Sequence, residues 1–160
     1  MTTIRLKTLI GAPVEVCFRV SLTIDLMLWP AEEYAIQAIG GVTTGTIGLG
    51  ESVTWRTRQF FIPVTHTSEI TALVAPAYFQ DSMVHSIFRS FCHDHFFTAS
   101  DPNRTEMCDE LRFSMPTLLL GKIAERLIVK RRLTALLQMR NARIKQVAER
   151  QTTARDYAPT

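Results

Sequence analysis

Ile87-Phe88-Arg89-Ser90-Phe91-Cys92-His93-Asp94-His95-Phe96-Phe97-Thr98 reads as one β-strand with two unlike faces. Successive side chains on a strand point to opposite sides, so Phe91, His93, His95 and Phe97 share one face while Ser90, Cys92, Asp94 and Phe96 share the other. Asp101-Pro102-Asn103 is turn chemistry, and Arg104 to Phe113 beyond it repeats the pattern, with Met107, Asp109, Leu111 and Phe113 opposed by Glu106, Cys108, Glu110 and Arg112. Two such runs joined by a short turn make an antiparallel pair. The first set on each strand is the more apolar at its ends and the second carries Glu and Arg, so His93, His95 and Asp109 are expected to point inward.

Working outward, Glu33 to Ile39, Glu51 to Phe61, Val64 to Val74 and Ala77 to Asp81 read as further strands. They are separated by the glycine-rich stretch Gly40 to Gly50, by Pro63 and by Ala75-Pro76, while Ser82 to Ser86 fits either a loop or a single turn. Alternation turns Val53, Trp55, Thr57, Gln59 and Phe61 inward on one of these strands, and His66, Ser68, Ile70 and Ala72 on the next. Strands this close together, with no helical pattern between them, imply an antiparallel meander. Ahead of them lie a strand, Thr3 to Ile10, a helix opening at Pro13 in its first turn, and a short helix from Thr23 to Leu28 that ends before Trp29-Pro30.

After Ser114-Met115-Pro116 a helical pattern runs from Thr117 to about Arg150, roughly 50 Å if fully helical. Its apolar face is not constant. Leu119, Leu120, Ile123, Ala124, Leu127 and Ile128 occupy one side, Lys130-Arg131-Arg132 interrupts, and Leu133, Leu136, Leu137, Ile144 and Val147 resume on a stripe rotated far from the first. The first half is expected to grip the sheet and the second to meet another surface, bend or fray. Residues 1–150 then form a single domain, and the polar tail 151–160 is expected to be disordered.

With 160 residues, 46% hydrophobic and 21% charged, the chain has enough apolar surface for a core without disulfides or a structural metal. No apolar run reaches the roughly 20 residues that cross a bilayer, and the first residues lack a secretory apolar segment, so the expected address is the cytoplasm. Cys17, Cys92 and Cys108 are odd in number and have no metal-ligand spacing, which suits a reducing compartment. Formal net charge is +3, yet Leu118 to Arg150 holds nine Lys or Arg against two Glu, a local +7 that leaves −4 for the rest. That basic stretch contains no aromatic residue for base stacking. A solvated basic helix face is the simpler reading, and nucleic acid is not an expected partner.

Strand, two short helices, a six-stranded antiparallel meander and one long terminal helix is the element order of an α+β helix-grip fold, a curved sheet wrapped around its last helix. The residues point the same way. Ala12-Pro13-Val14-Glu15-Val16-Cys17-Phe18 resembles the helix start of the START-like superfamily, also called SRPBCC or polyketide cyclase/dehydrase-like. Gly45-Thr46-Ile47-Gly48-Leu49-Gly50-Glu51-Ser52-Val53-Thr54-Trp55 resembles the turn into that superfamily's third strand. Phe91 to Phe97, Thr105-Glu106-Met107-Cys108-Asp109-Glu110 and Ser114-Met115-Pro116 are similar to a bacterial branch with an FxHxHxF motif. The likeness extends to about Arg143. It implies a cavity between sheet and helix in a superfamily of lipid carriers, hormone receptors and aromatase/cyclases.

The inward set contains more hydrogen-bonding groups than a dry core tolerates, since a buried polar group without a partner costs about 1–3 kcal/mol. Either the groups satisfy one another or a ligand satisfies them. The expected function is non-covalent binding of a hydrophobic or amphipathic small molecule between the sheet and the helix. Trp55, Phe91, Phe97, Leu111, Phe113, Leu120, Ile123 and Leu127 would supply apolar contact, and Thr57, Gln59, His66, His93, His95 and Asp109 would fix a polar head. A second expectation is an aromatase/cyclase- or dehydrase-like enzyme, cofactor-independent, with His93 or His95 moving a proton and Asp109 orienting it. A third is an interaction module whose basic helix end docks an acidic partner, a second copy or an anionic membrane surface.

Other chemistries fit less well. His93 and His95 share a face as a metal-ligating pair would, but spacing fixes no third ligand and the resembled superfamily mostly lacks such a site, so no metal is expected. Gly45, Gly48 and Gly50 open a strand rather than a helix, which argues against a dinucleotide site, and no cofactor is expected.

Overall fold

The computed structural model describes residues 1–28, 36–59, 62–116 and 124–156, with backbone only at 58, 59, 62, 124–126, 155 and 156. Seven strands form one antiparallel sheet: β1 (Thr2–Ile10), β2 (Gln37–Gly41), β3 (Ser52–Gln59), β4 (Ile62–Val74), β5 (Tyr78–His85), β6 (Ser90–Asp101) and β7 (Arg104–Ser114). Their spatial order is β1-β7-β6-β5-β4-β3-β2. The meander from β2 to β7 thus lies in chain order, and β1 closes beside β7. Helix α1 (Val14–Ser21) and a 3-10 helix (Ile24–Leu28) follow β1, and helix α2 (Ala124–Asp156) ends the described chain. This is the expected α+β helix-grip architecture.

Local chemistry accounts for the element ends. Pro13 caps α1 from one position outside it, not from within the first turn, with ψ 150° keeping it extended while its carbonyl accepts from the Val16 and Cys17 amides at 3.1 Å. Gly41 has φ 69°, and a Cβ there would meet the Ser52 carbonyl oxygen at 2.0 Å, so the turn between β2 and β3 requires glycine. β5 continues through Ser82 to His85, the stretch that turn propensity left open, because Ser82 and Met83 pair with Glu69 and Ser68 of β4. A register shift between Ile70 and Ala72 reverses the alternation, so Leu73, not Ala72, packs against the core.

The helix contradicts its expected grip. Leu127 and Ile128 are 63% and 51% exposed, whereas Leu137, Arg140, Asn141, Ile144 and Ala148 are buried. Those five residues recur at three- and four-residue spacing and form the face laid on the sheet. Leu119, Leu120 and Ile123 lie outside the described residues. The tail also departs from expectation: α2 continues through Gln151 to Asp156, held by Arg19 donating to the Gln151 side chain at 3.1 Å and by the Thr152 hydroxyl on the Ala148 carbonyl. Residues 157–160 lie outside the description. Between sheet and α2 the buried apolar residues form two clusters, one around α1, Ile10, Met107 and Ile144 and one around Ile4, Leu111, Phe113 and Leu137. Full burial of one such Leu or Ile contributes about 1.5–3 kcal/mol. Among the described residues no helix is long and apolar enough to cross a membrane.

Candidate functional site

Where the two apolar clusters part, the concave face of the sheet and α2 enclose a cavity of about 230 Å³. Trp55 and Thr57 from β3, His66 and Ser68 from β4, Phe79 and Asp81 from β5, and Phe91, His93 and His95 from β6 line it, each at an inward position of its strand. Leu111 of β7 completes the floor. Leu133, Leu136, Leu137, Met139 and Arg140 of α2 form the roof, and Ile24 and Met27 of the 3-10 helix one side.

Most of this surface is apolar, but one wall is a charged assembly. His93 Nε2 lies 3.0 Å from Asp109 Oδ1, and His95 Nδ1 lies 2.9 Å from the same oxygen. On their other sides His93 Nδ1 and His95 Nε2 lie 3.7 and 3.1 Å from Asp81 Oδ2. Arg140 reaches in from α2, placing Nη1 3.4 Å from both Asp109 Oδ1 and His95 Nδ1, while Nη2 donates to the Ser21 carbonyl at 3.2 Å. Asn141 donates to Asp109 Oδ2 at 2.6 Å and to the Thr8 hydroxyl at 3.2 Å. The two imidazoles are 3.7 Å apart by ring centroids, and His95 stacks on Phe79 at 4.1 Å.

The register explains the convergence. Asp81 lies opposite His93, Phe79 opposite His95, and His95 opposite Asp109, so three adjacent strands deliver acid, base and acid at one level of the sheet. Burial pushes the Asp109 carboxyl up, but the hydrogen bonds and charges of His93 and His95 outweigh it and hold Asp109 well below the ordinary value. Asp81 is likewise lowered, with burial opposed by the His95 hydrogen bond and the charges of His93, His95 and Arg140. Burial and the neighbouring His95 lower His93, against the pull of Asp109 and Asp81, and favour its neutral form. His66, 4.7 Å from Phe91 by ring centroids, is lowered by burial, and its Nδ1 has no hydrogen-bond partner among the described residues.

The remaining residues expected at the site divide by position. Asp109 is buried behind the histidines and reaches the cavity only through them. Phe97 is buried beside Phe79 and Phe18, 5.9 and 5.5 Å away by ring centroids, and Phe113 lies beneath Phe88 at 5.7 Å. Both brace lining residues without lining the cavity themselves. Leu127 points to solvent, and Leu120, Ile123 and the Gln59 side chain lie outside the described residues. Within the charged assembly Asp81, Arg140 and Asn141 were not anticipated, nor were Ser21, Thr23 and Ser86 in the lining. Asp81 is two residues from Phe79 and shares its face, and Arg140 and Asn141 are three and four residues from Leu137, so the spacing carried the signal although hydropathy did not. The basic stretch is therefore divided, with Lys130 and Arg131 exposed and Arg140 turned to the cavity.

No family model matches the chain, and no curated protein matches it. Solved structures do. The Zhui aromatase/cyclase from a Streptomyces species superposes with TM-score 0.71 at 14% identity, covering 93% of this chain and 94% of that one. A protein from Thermus thermophilus gives TM-score 0.70 at 13% identity, covering 92% and 99% of the two chains. A START superfamily protein from Mycobacterium smegmatis gives 0.66 at 10% identity over 94% and 99%. The chain thus shares the helix-grip fold of these structures.

Proposed function

We propose that this protein binds a compact hydrophobic or amphipathic small molecule in the cavity between sheet and α2. The observation that carries the reading is an apolar hollow with one charged wall: Trp55, Phe91, Leu111 and Leu133 offer contact, while His66 Nδ1 and His93 Nδ1 offer hydrogen bonds to a polar end and His95 stays tied to Asp81 and Asp109. A volume of about 230 Å³ lies just under the roughly 300 Å³ at which small-molecule pockets begin, which favours a ligand of one or two rings over a long acyl chain. Three free cysteines suit a cytoplasmic address. Native mass spectrometry of protein gently extracted from its source tests the proposal. A bound mass is expected, and its occupancy should fall in Phe91→Ala.

A second reading rests on the orientation of the histidine pair. With Asp109 behind both rings, His93 or His95 is placed to move a proton on a carbonyl or enol in the cavity, chemistry that an aromatase/cyclase-like enzyme requires. His93→Ala or His95→Ala should then abolish turnover of a candidate polyketone while leaving ligand affinity within a few-fold. A loss of affinity equal to the loss of turnover would leave binding alone.

A further inference from the structure

We propose that Asp81, His93 and His95 form a site for a divalent transition-metal cation at the polar wall of the cavity. His-x-His spacing on a strand supplies two ligands on one face. The third comes from pairing, because β5 sets Asp81 directly opposite His93. One ligand atom from each of the three lies within 4.8 Å of the other two.

The orientation of the rings decides more than their proximity. Each imidazole presents one nitrogen to Asp81, His93 through Nδ1 at 3.7 Å and His95 through Nε2 at 3.1 Å. Each turns its other nitrogen to Asp109 Oδ1, at 3.0 and 2.9 Å. A metal-bound histidine divides its nitrogens in this way, ligating with one and donating a hydrogen bond to a carboxylate with the other. Asp109 is fully buried and fixed by Asn141 at 2.6 Å, so it is the orienting acid, and Asp81, 18% exposed on the cavity wall, is the ligand. A cation with bonds of about 2.0–2.2 Å places its ligand atoms about 3–3.5 Å apart; the two separations from Asp81 lie at 3.1 and 3.7 Å, and side-chain rotation must draw in a set now within 4.8 Å of one another.

Charge favours a cation as well. Two carboxylates, Asp81 and Asp109, stand against the single guanidinium of Arg140. Two histidines and one carboxylate leave coordination positions open, the ligand type that zinc and iron(II) sites use when a substrate or water completes the sphere. Because all three residues line the cavity, the open positions face it. A polar ligand end would meet the ion there.

The test is titration of chelator-treated, full-length protein with Zn(II) by calorimetry and with Co(II) by visible absorption. One ion per chain is expected, with Co(II) bands of a four- or five-coordinate site. Asp81→Asn keeps the shape of the side chain but halves its ligand quality, and should weaken binding about 10–100-fold or more with the circular dichroism unchanged. His95→Ala should remove the Co(II) bands. The proposal is overturned if neither ion saturates one site. It is equally overturned if uptake is undiminished in Asp81→Asn, which would place the ion on His85 or the cysteines. Because the probe is the metal alone, this result is independent of whether a hydrophobic ligand is found.

Discussion

The two faces of the β6–β7 pair carry the same kind of assembly in opposite surroundings. On the convex face Asp94 accepts from the Tyr78 hydroxyl and the Gln80 amide, each at 2.7 Å, and pairs with Arg112. On the concave face Asp109 holds His93, His95, Arg140 and Asn141. The convex partners all come from β5 and β7, so the sheet alone completes that network, and Arg112 stays 36% exposed to water. The concave partners come from β6 and α2, Asp109 is wholly buried, and the histidines open onto an apolar cavity. A carboxylate network that ends in solvent holds strands together. One that ends in a greasy hollow is poised for a ligand.

The largest expected effect breaks or keeps this contrast. Asp109→Ala leaves two histidines, an arginine and an asparagine buried without their common acceptor, and should cost about 3–5 kcal/mol by chemical denaturation. Asp94→Ala should cost only about 1 kcal/mol, since Arg112 can turn to water or to Glu110, whose carboxylate is already 3.8 Å away. Equal losses would mean that the concave assembly is no more dependent on burial than the convex one.

A smaller effect separates the two phenylalanines on these faces. Phe91 lines the cavity and Phe96 lies 43% exposed against Tyr78, with ring centroids 5.1 Å apart. Removing the Phe91 ring should weaken a bound small molecule about tenfold, roughly 1.4 kcal/mol of lost contact, while Phe96→Ala leaves occupancy unchanged. Native mass spectrometry of both variants reads the difference, and a ligand lost from Phe96→Ala would place its site on the wrong face.

The same two strands show how much of the site is legible beforehand. Alternation places His93, His95 and Asp109 together because β6 and β7 pair without a register shift from Ser90 to Ala99. On β4 the shift after Ile70 reverses the pattern, and no periodicity announces it. The long helix misleads for a different reason. Its buried face includes Arg140 and Asn141, which are polar by composition and buried only because Asp109 waits for them, so the apolar run around Leu127 is the more conspicuous stripe and the wrong one. Asp81 illustrates a third limit, since its role depends on which strand lies next to it, a fact of tertiary pairing.

The smallest effect tests whether the faces are independent. Burial first, and then donation to the negatively charged Asp94, push the Tyr78 hydroxyl up from 10.0 to about 12. A group whose pKa is raised on folding gives its full contribution below its ordinary value and loses it as pH rises through the raised one. Wild type should therefore exceed Tyr78→Phe in stability by about 1 kcal/mol at neutral pH, and the gap should close from about pH 10 upward. Denaturation curves of both proteins at a series of pH values measure it. Ligand occupancy at neutral pH should be the same in both, because the Tyr78 hydroxyl bonds to Asp94 on the convex side while Phe79 and Asp81 of the same strand serve the cavity. Altered occupancy in Tyr78→Phe would show that β5 transmits the convex network to the cavity, and the concave assembly would then have to be understood as part of a single network through the sheet.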